Sequence, residues 1–149
     1  ALVKNQVVGV FDKKLLKVFG EALINVNTKF AWIVNSEDGL DEISPYAKTT
    51  VIQVKDKNIS EFTIDPKELN INAKEFKNLL GDDANFNANK IINIFKGEDN
   101  DFSKAVCLNA AAGLIVSDNH VKFLDAYHEA RNHILSGKTY KHLLSIQNG

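Results

Sequence analysis

The sequence predicts an α/β fold: a mixed, mainly parallel sheet flanked by helices, with a helical C-terminal half. Three observations predict it. Apolar runs of strand length at residues 7–10 and 30–34 bracket a stretch of helical periodicity. Strand, helix, strand with short links is a βαβ unit, whose two strands lie parallel. Residues 49–54 and 59–64 are two more strand-like runs, and Lys55-Asp56-Lys57-Asn58 links them as a hairpin, which makes the sheet mixed. From Ala73 onward the chain reads as helical.

Residues 7–10 form a short buried strand with Gly9 inside it. Asp12 is placed to cap the next helix, in which Leu15, Phe19, Leu23 and Val26 recur at spacings of four, four and three and share one face. Residues 30–34 are continuously apolar, as in a strand covered on both sides. The polar stretch 35–45, with Gly39 and Pro45, is a loop. It leaves the carboxyl end of a parallel strand, where open α/β sheets tend to take ligands. Asp65-Pro66 ends the hairpin's second strand. Residues 75–80 form a short helix closed by Gly81. Ala88, Ile91, Ile92 and Phe95 mark a second, closed by Gly97. Ser103 caps a third that runs through Val106, Ala110, Leu114 and Val116. Asn119 caps a fourth, with Phe123, Tyr127, Ala130 and Ile134 on one stripe and Gly137 at its end. Residues 140–146 form a short terminal helix. Four strands under this many helices leave a sheet edge exposed and point to a larger parent domain.

The 149 residues suffice for one domain with a real core. A net charge of −1 argues against a nucleic-acid partner, which needs a basic excess. Arg131 is the only arginine, so the chain is poorly equipped to fork hydrogen bonds onto a phosphate unaided. Cys107 is the only cysteine, which excludes an internal disulfide and a cysteine zinc site and fits a reducing, cytoplasmic compartment. No apolar run approaches the roughly 20 residues of a membrane span. The chain contains no methionine, and its start reads as a cut or processed end.

Asp41 and Glu42 are adjacent in the polar loop. Hard carboxylate oxygens suit Mg²⁺, which takes one or two carboxylates and keeps water and phosphate oxygens for the rest. Gly39 would let the backbone approach a ligand closely. The competing reading is a solvated acidic turn, with Glu37 and Asp38 as solubilising charge. Residues 97–101 resemble a calcium loop, but the positions that need glycine and glutamate hold Lys104 and Ala110. Residues 108–114 are a small-residue helix suited to tight packing, and Asn109 within it needs a partner if buried. His120, His128, His133 and His142 form no zinc pair and read as surface or packing residues. Neither GxSxG, GxGxxG nor GxxxxGK[ST] is present.

Three stretches together resemble the second half of the anthranilate phosphoribosyltransferase family: Gln6-Val7-Val8-Gly9-Val10-Phe11-Asp12, Glu37-Asp38-Gly39-Leu40-Asp41-Glu42-Ile43-Ser44, and Val106-Cys107-Leu108-Asn109-Ala110-Ala111-Ala112. The resemblance covers nearly the whole chain, residues 1–149. Its most specific part is the Gly39-to-Ser44 stretch, which pyrimidine nucleoside phosphorylases share in part. The resemblance implies transfer of phosphoribosyl from phosphoribosyl diphosphate to anthranilate in tryptophan biosynthesis. It implies Mg²⁺ held by Asp41 and Glu42, with Gly39 and Ser44 supporting the loop around metal and diphosphate. No residue of this chain is expected to be a catalytic group. The family's loop opens with His-Gly where this chain has Asn35-Ser36. The family's N-terminal helical domain, through which it forms a homodimer, and its glycine-rich diphosphate loop have no counterpart here. The chain is therefore expected to be an inactive part of an active parent, with the N-terminal half as its missing partner. The alternatives are a nucleoside phosphorylase part and a non-catalytic interaction module.

Overall fold

The computed structural model describes residues 3–117 and 122–147. Four strands, β1 (Asn5–Gly9), β2 (Phe30–Ser36), β3 (Thr49–Lys55) and β4 (Asn58–Ile64), pair in chain order. Helix α1 (Leu15–Asn25) joins β1 to β2. After β4 come a 3₁₀ turn (Phe76–Leu79) and helices α2 (Ala84–Phe95), α3 (Asp101–Val116), α4 (Phe123–Leu135) and α5 (Lys138–Gln147).

The sheet is mixed, as expected, but less parallel than expected. β1 and β2 are parallel, from Asn5 opposite Phe30 to Gly9 opposite Val34. β2 with β3 and β3 with β4 are antiparallel. The reason is local: the link 37–48 has no helix to carry the chain back, so β3 returns beside β2 in the opposite sense. The β3–β4 hairpin turns on Asp56 (φ 48°) and Lys57 (φ 66°), the two left-handed residues of a type I′ turn.

β2 is buried along its whole length because both faces are covered. Phe30, Trp32 and Val34 join Val51, Ile64 and the inner sides of α3 and α4 in one core. Ala31 and Ile33 join Ile52, Val54, Val10 and Leu16 of α1 in the other. Trp32 meets Phe62 edge-on at 5.2 Å and donates to Gln53 Oε1 at 3.0 Å. Each such large side chain contributes about 1.5–3 kcal/mol on burial.

Lys14 holds the cap position of α1 itself, and Asp12, three residues before the first helical residue, caps from outside it. Its carboxylate accepts from the Lys14 amide at 2.9 Å and its carbonyl from the Leu15 amide. The buried residues of α1 are Leu16 and Gly20, whereas Phe19 and Val26 of the expected stripe face solvent. The N-cap of α3 is Asn100, not Ser103. Asn100 Oδ1 accepts from the Ser103 amide and the Ser103 hydroxyl from the Asn100 amide, a reciprocal box that uses both residues. Residues 76–79 make only a 3₁₀ turn, and Leu80 is extended, so Gly81 closes no helix. Gly97 and Gly137 follow α2 and α4 with positive φ, as expected. Lys122 holds the cap position of α4. Asn119, expected there, and His120 lie outside the described residues, while His128, His133 and His142 are exposed.

Candidate metal loop

The segment between β2 and β3 leaves the end of the sheet where the two parallel strands finish, and it holds Gly39, Asp41, Glu42 and Ser44. It is built as a closed turn. The Ser36 amide donates to Leu40 O at 2.9 Å and the Gly39 amide to Ser36 O at 3.0 Å. Gly39 sits at φ +89° with open space where a side chain would project, so the backbone conformation, not a close contact, requires glycine here.

Asp38 is structural, not mere solubilising charge. Its Oδ1 accepts from the Leu40 amide at 3.3 Å and its Oδ2 from the Ser44 hydroxyl at 2.5 Å. Ser44 is fully buried, and its oxygen also accepts from the amides of Tyr46 and Ala47. The Ser44 amide donates to Thr49 Oγ1 at 3.2 Å. Between these ties the chain lifts Asp41 and Glu42 into solvent while Ile43 is fully buried. Asn35 is buried and donates to Val10 O at 2.8 Å, joining the β2 end to the chain after β1.

Two residues that the sequence did not tie to the loop touch it directly. A Cβ at Gly9 would stand 1.6 Å from Asp41 O, so the loop backbone crosses β1 where only glycine leaves room. A glycine inside an apolar strand is the signal that marks such an approach. Asn109 of α3 faces Ile43: its Oδ1 accepts from the Ile43 amide at 2.9 Å, and its Nδ2 donates to Ile43 O at 3.1 Å and Ala105 O at 3.0 Å.

Farther along, Tyr46 Oη lies 2.5 Å from Glu75 O and 3.1 Å from Asp101 Oδ2. Burial pushes Tyr46 up to about 12, and the Asp101 carboxylate adds to that rise. Burial also pushes Asp101 up, but hydrogen bonds from Asn78, Lys104, the Lys74 amide and Tyr46 outweigh it and hold Asp101 well below the usual carboxylate range. Burial pushes the Cys107 thiol up to about 11, which removes it as a nucleophile near neutral pH.

Asp41 and Glu42 are adjacent exposed carboxylates, with Glu37 a third farther back in the loop, and hard-oxygen donors of this kind fit Mg²⁺ with water or phosphate oxygens completing the shell. Among the described residues no three of His, Cys, Asp and Glu gather into a preformed cage. None of the described helices is long and apolar enough to cross a membrane.

A βαβ-led sheet between helix layers, with an acidic loop at the carboxyl end of its parallel strands, defines an α/β domain whose loop sits where open α/β sheets tend to take ligands. The chain belongs to the glycosyl transferase family, a/b domain, whose model matches residues 1–140. It is 73% identical over 148 residues to the anthranilate phosphoribosyltransferase of Pelagibacter ubique, covering 99% of this chain and 45% of that relative. It is 36% identical to the anthranilate phosphoribosyltransferase of Clostridium kluyveri, over 99% of this chain and 44% of that one. The chain thus spans less than half the length of these curated relatives. Its fold is similar to the Thermus thermophilus anthranilate phosphoribosyltransferase, with a TM-score of 0.79 and 25% identity over 89% of this chain and 39% of that one. It is also similar to the Saccharomyces cerevisiae enzyme in complex with PRPP and Mg, with a TM-score of 0.80 and 24% identity over 92% of this chain and 40% of that one.

Proposed function

We propose that residues 1–149 are the C-terminal portion of the α/β domain of an anthranilate phosphoribosyltransferase, and that they supply its metal loop. The observation that carries this reading is the 73% identity over 148 residues to a curated enzyme of that name. Asp41 and Glu42 would hold Mg²⁺, with Gly39 and Ser44 shaping the loop that presents them. When bound, the ion neutralises the diphosphate leaving group and fixes its geometry. The chain's own share is positional: the closed turn and the Asp38–Ser44 bond keep two carboxylates together and exposed. Binding of anthranilate and phosphoribosyl diphosphate, the homodimer and the cytoplasmic setting belong to the whole parent.

The chain itself is expected to be inactive. The sequence contains no glycine-rich phosphate loop, and its single arginine, Arg131, is paired with Asp99. A chimera tests the reading: these residues replace the matching segment of the Pelagibacter ubique enzyme. The expected outcome is transfer to anthranilate that is lost in the Asp41→Asn/Glu42→Gln double variant. A folded chimera without transfer would overturn the assignment, whereas product formation by the isolated chain would overturn its expected inactivity and leave the assignment standing.

A further inference from the structure

We infer that Asn109 is a positioning residue for the acidic loop, acting through the backbone of Ile43 with Gly9 as the opposing stop. The inference rests on the metal reading above. Asn109 presents its amide to Ile43 as a β-strand would: one acceptor for the N–H at 2.9 Å and one donor for the C=O at 3.1 Å. A primary amide is the side chain that offers both groups in this geometry. Its third bond, to Ala105 O within the same helix, fixes the amide's rotation. Ile43 is fully buried and directly follows Asp41 and Glu42, so fixing its peptide fixes the base from which both carboxylates project.

Gly9 limits the loop from the other direction. The Asp41 carbonyl lies where a Cβ would be, so the loop rests on bare β1 backbone. Held between α3 and β1, the loop has little freedom to carry the two carboxylates away from one another. A metal that binds through only two protein oxygens is sensitive to such freedom, because each ligand left to wander adds ordering entropy to binding.

The test uses the whole chain with Mn²⁺ alone as probe, since Mn²⁺ shares the oxygen preference of Mg²⁺ and broadens nearby amide signals. Asn109→Ala and the near-isosteric Asn109→Asp are compared with the unsubstituted chain. The aspartate turns the two donated bonds into contacts between oxygens. Two quantities are read: hydrogen exchange at the Ile43 amide, and the Mn²⁺ concentration that half-broadens the Asp41 and Glu42 signals. The expected result is loss of Ile43 protection and a roughly tenfold higher Mn²⁺ midpoint, with β2 and β3 protection retained. Gly9→Ala should raise the midpoint in the same direction. If Asn109→Ala fails to fold, Asn109→Asp carries the comparison. An unchanged Mn²⁺ midpoint in a folded Asn109 variant overturns the inference, whether or not Ile43 loses protection. Absence of loop broadening in the unsubstituted chain is a different failure: it overturns the metal reading, and this inference with it.

Discussion

Ser44 concentrates more of the loop's hydrogen bonding than its size suggests. Its hydroxyl donates to Asp38 and accepts two amides, all from a fully buried position. Ser44→Ala should strand the Asp38 oxygen and both amides and cost about 1.5–3 kcal/mol, read as a lower urea midpoint at an unchanged slope. Asp101 and Tyr46 set the pH limits. Asp101 is held below the ordinary aspartate value of 3.8, so its contribution is present above that pH and lost as pH falls further. Tyr46 is raised from 10.0 to about 12, so its contribution is full below pH 10 and lost as pH rises through 12. Melting temperature against pH should fall at both ends. Asp101→Asn should flatten the acid limb. Tyr46→Phe should reduce the alkaline loss and leave the share of Tyr127, which burial also raises to about 12. Asp41, Glu42, Gly39 and Ser44 could be singled out in the sequence because they are neighbours in one loop. Asn109 could not be tied to Ile43, because 66 positions separate them and only the folded chain brings them together.

Among the elements, the βαβ unit and the hairpin were readable because each depends on residues close in sequence: two apolar runs in one case, a short polar link in the other. The buried side of α1 differs from the expected stripe for a physical reason. A stripe through Leu15, Phe19 and Leu23 and one through Leu16, Gly20 and Leu23 overlap on a helix, and glycine does not register as apolar. Close approach of Gly20 to Ile52, 3.1 Å from an added Cβ, selects the second. The start of α3 was displaced by three residues because both members of a capping box carry capping side chains. The hairpin offers a direct test. Lys57 occupies a left-handed position at φ 66°. Lys57→Gly should relieve that strain, less glycine's extra chain entropy, for a net gain of about 0.5–1 kcal/mol, seen as a higher melting temperature.

At the scale of the molecule, one edge of the sheet is β1, whose residues from Asn5 to Val8 are only half-buried. Phe11, Val18 and Val26 expose apolar surface on and beside α1. The sequence read the sheet as mainly parallel because a βαβ start usually continues so; β3 departs from it because the link after β2 holds the acidic loop in place of a crossover helix.

The strand order β1-β2-β3-β4 also bears on the timing of folding. Every strand pairs with the strand made just before it, so the sheet can grow as the chain leaves the ribosome and requires no late insertion. The loop follows a different schedule. Its clamp, Asn109, is synthesised 66 residues after Ile43, when the sheet is already complete. The anchoring of the acidic loop therefore comes last: a nascent chain arrested once Ile64 has cleared the ribosome, but before Asn109 has, should hold the β3–β4 hairpin beside an unanchored loop.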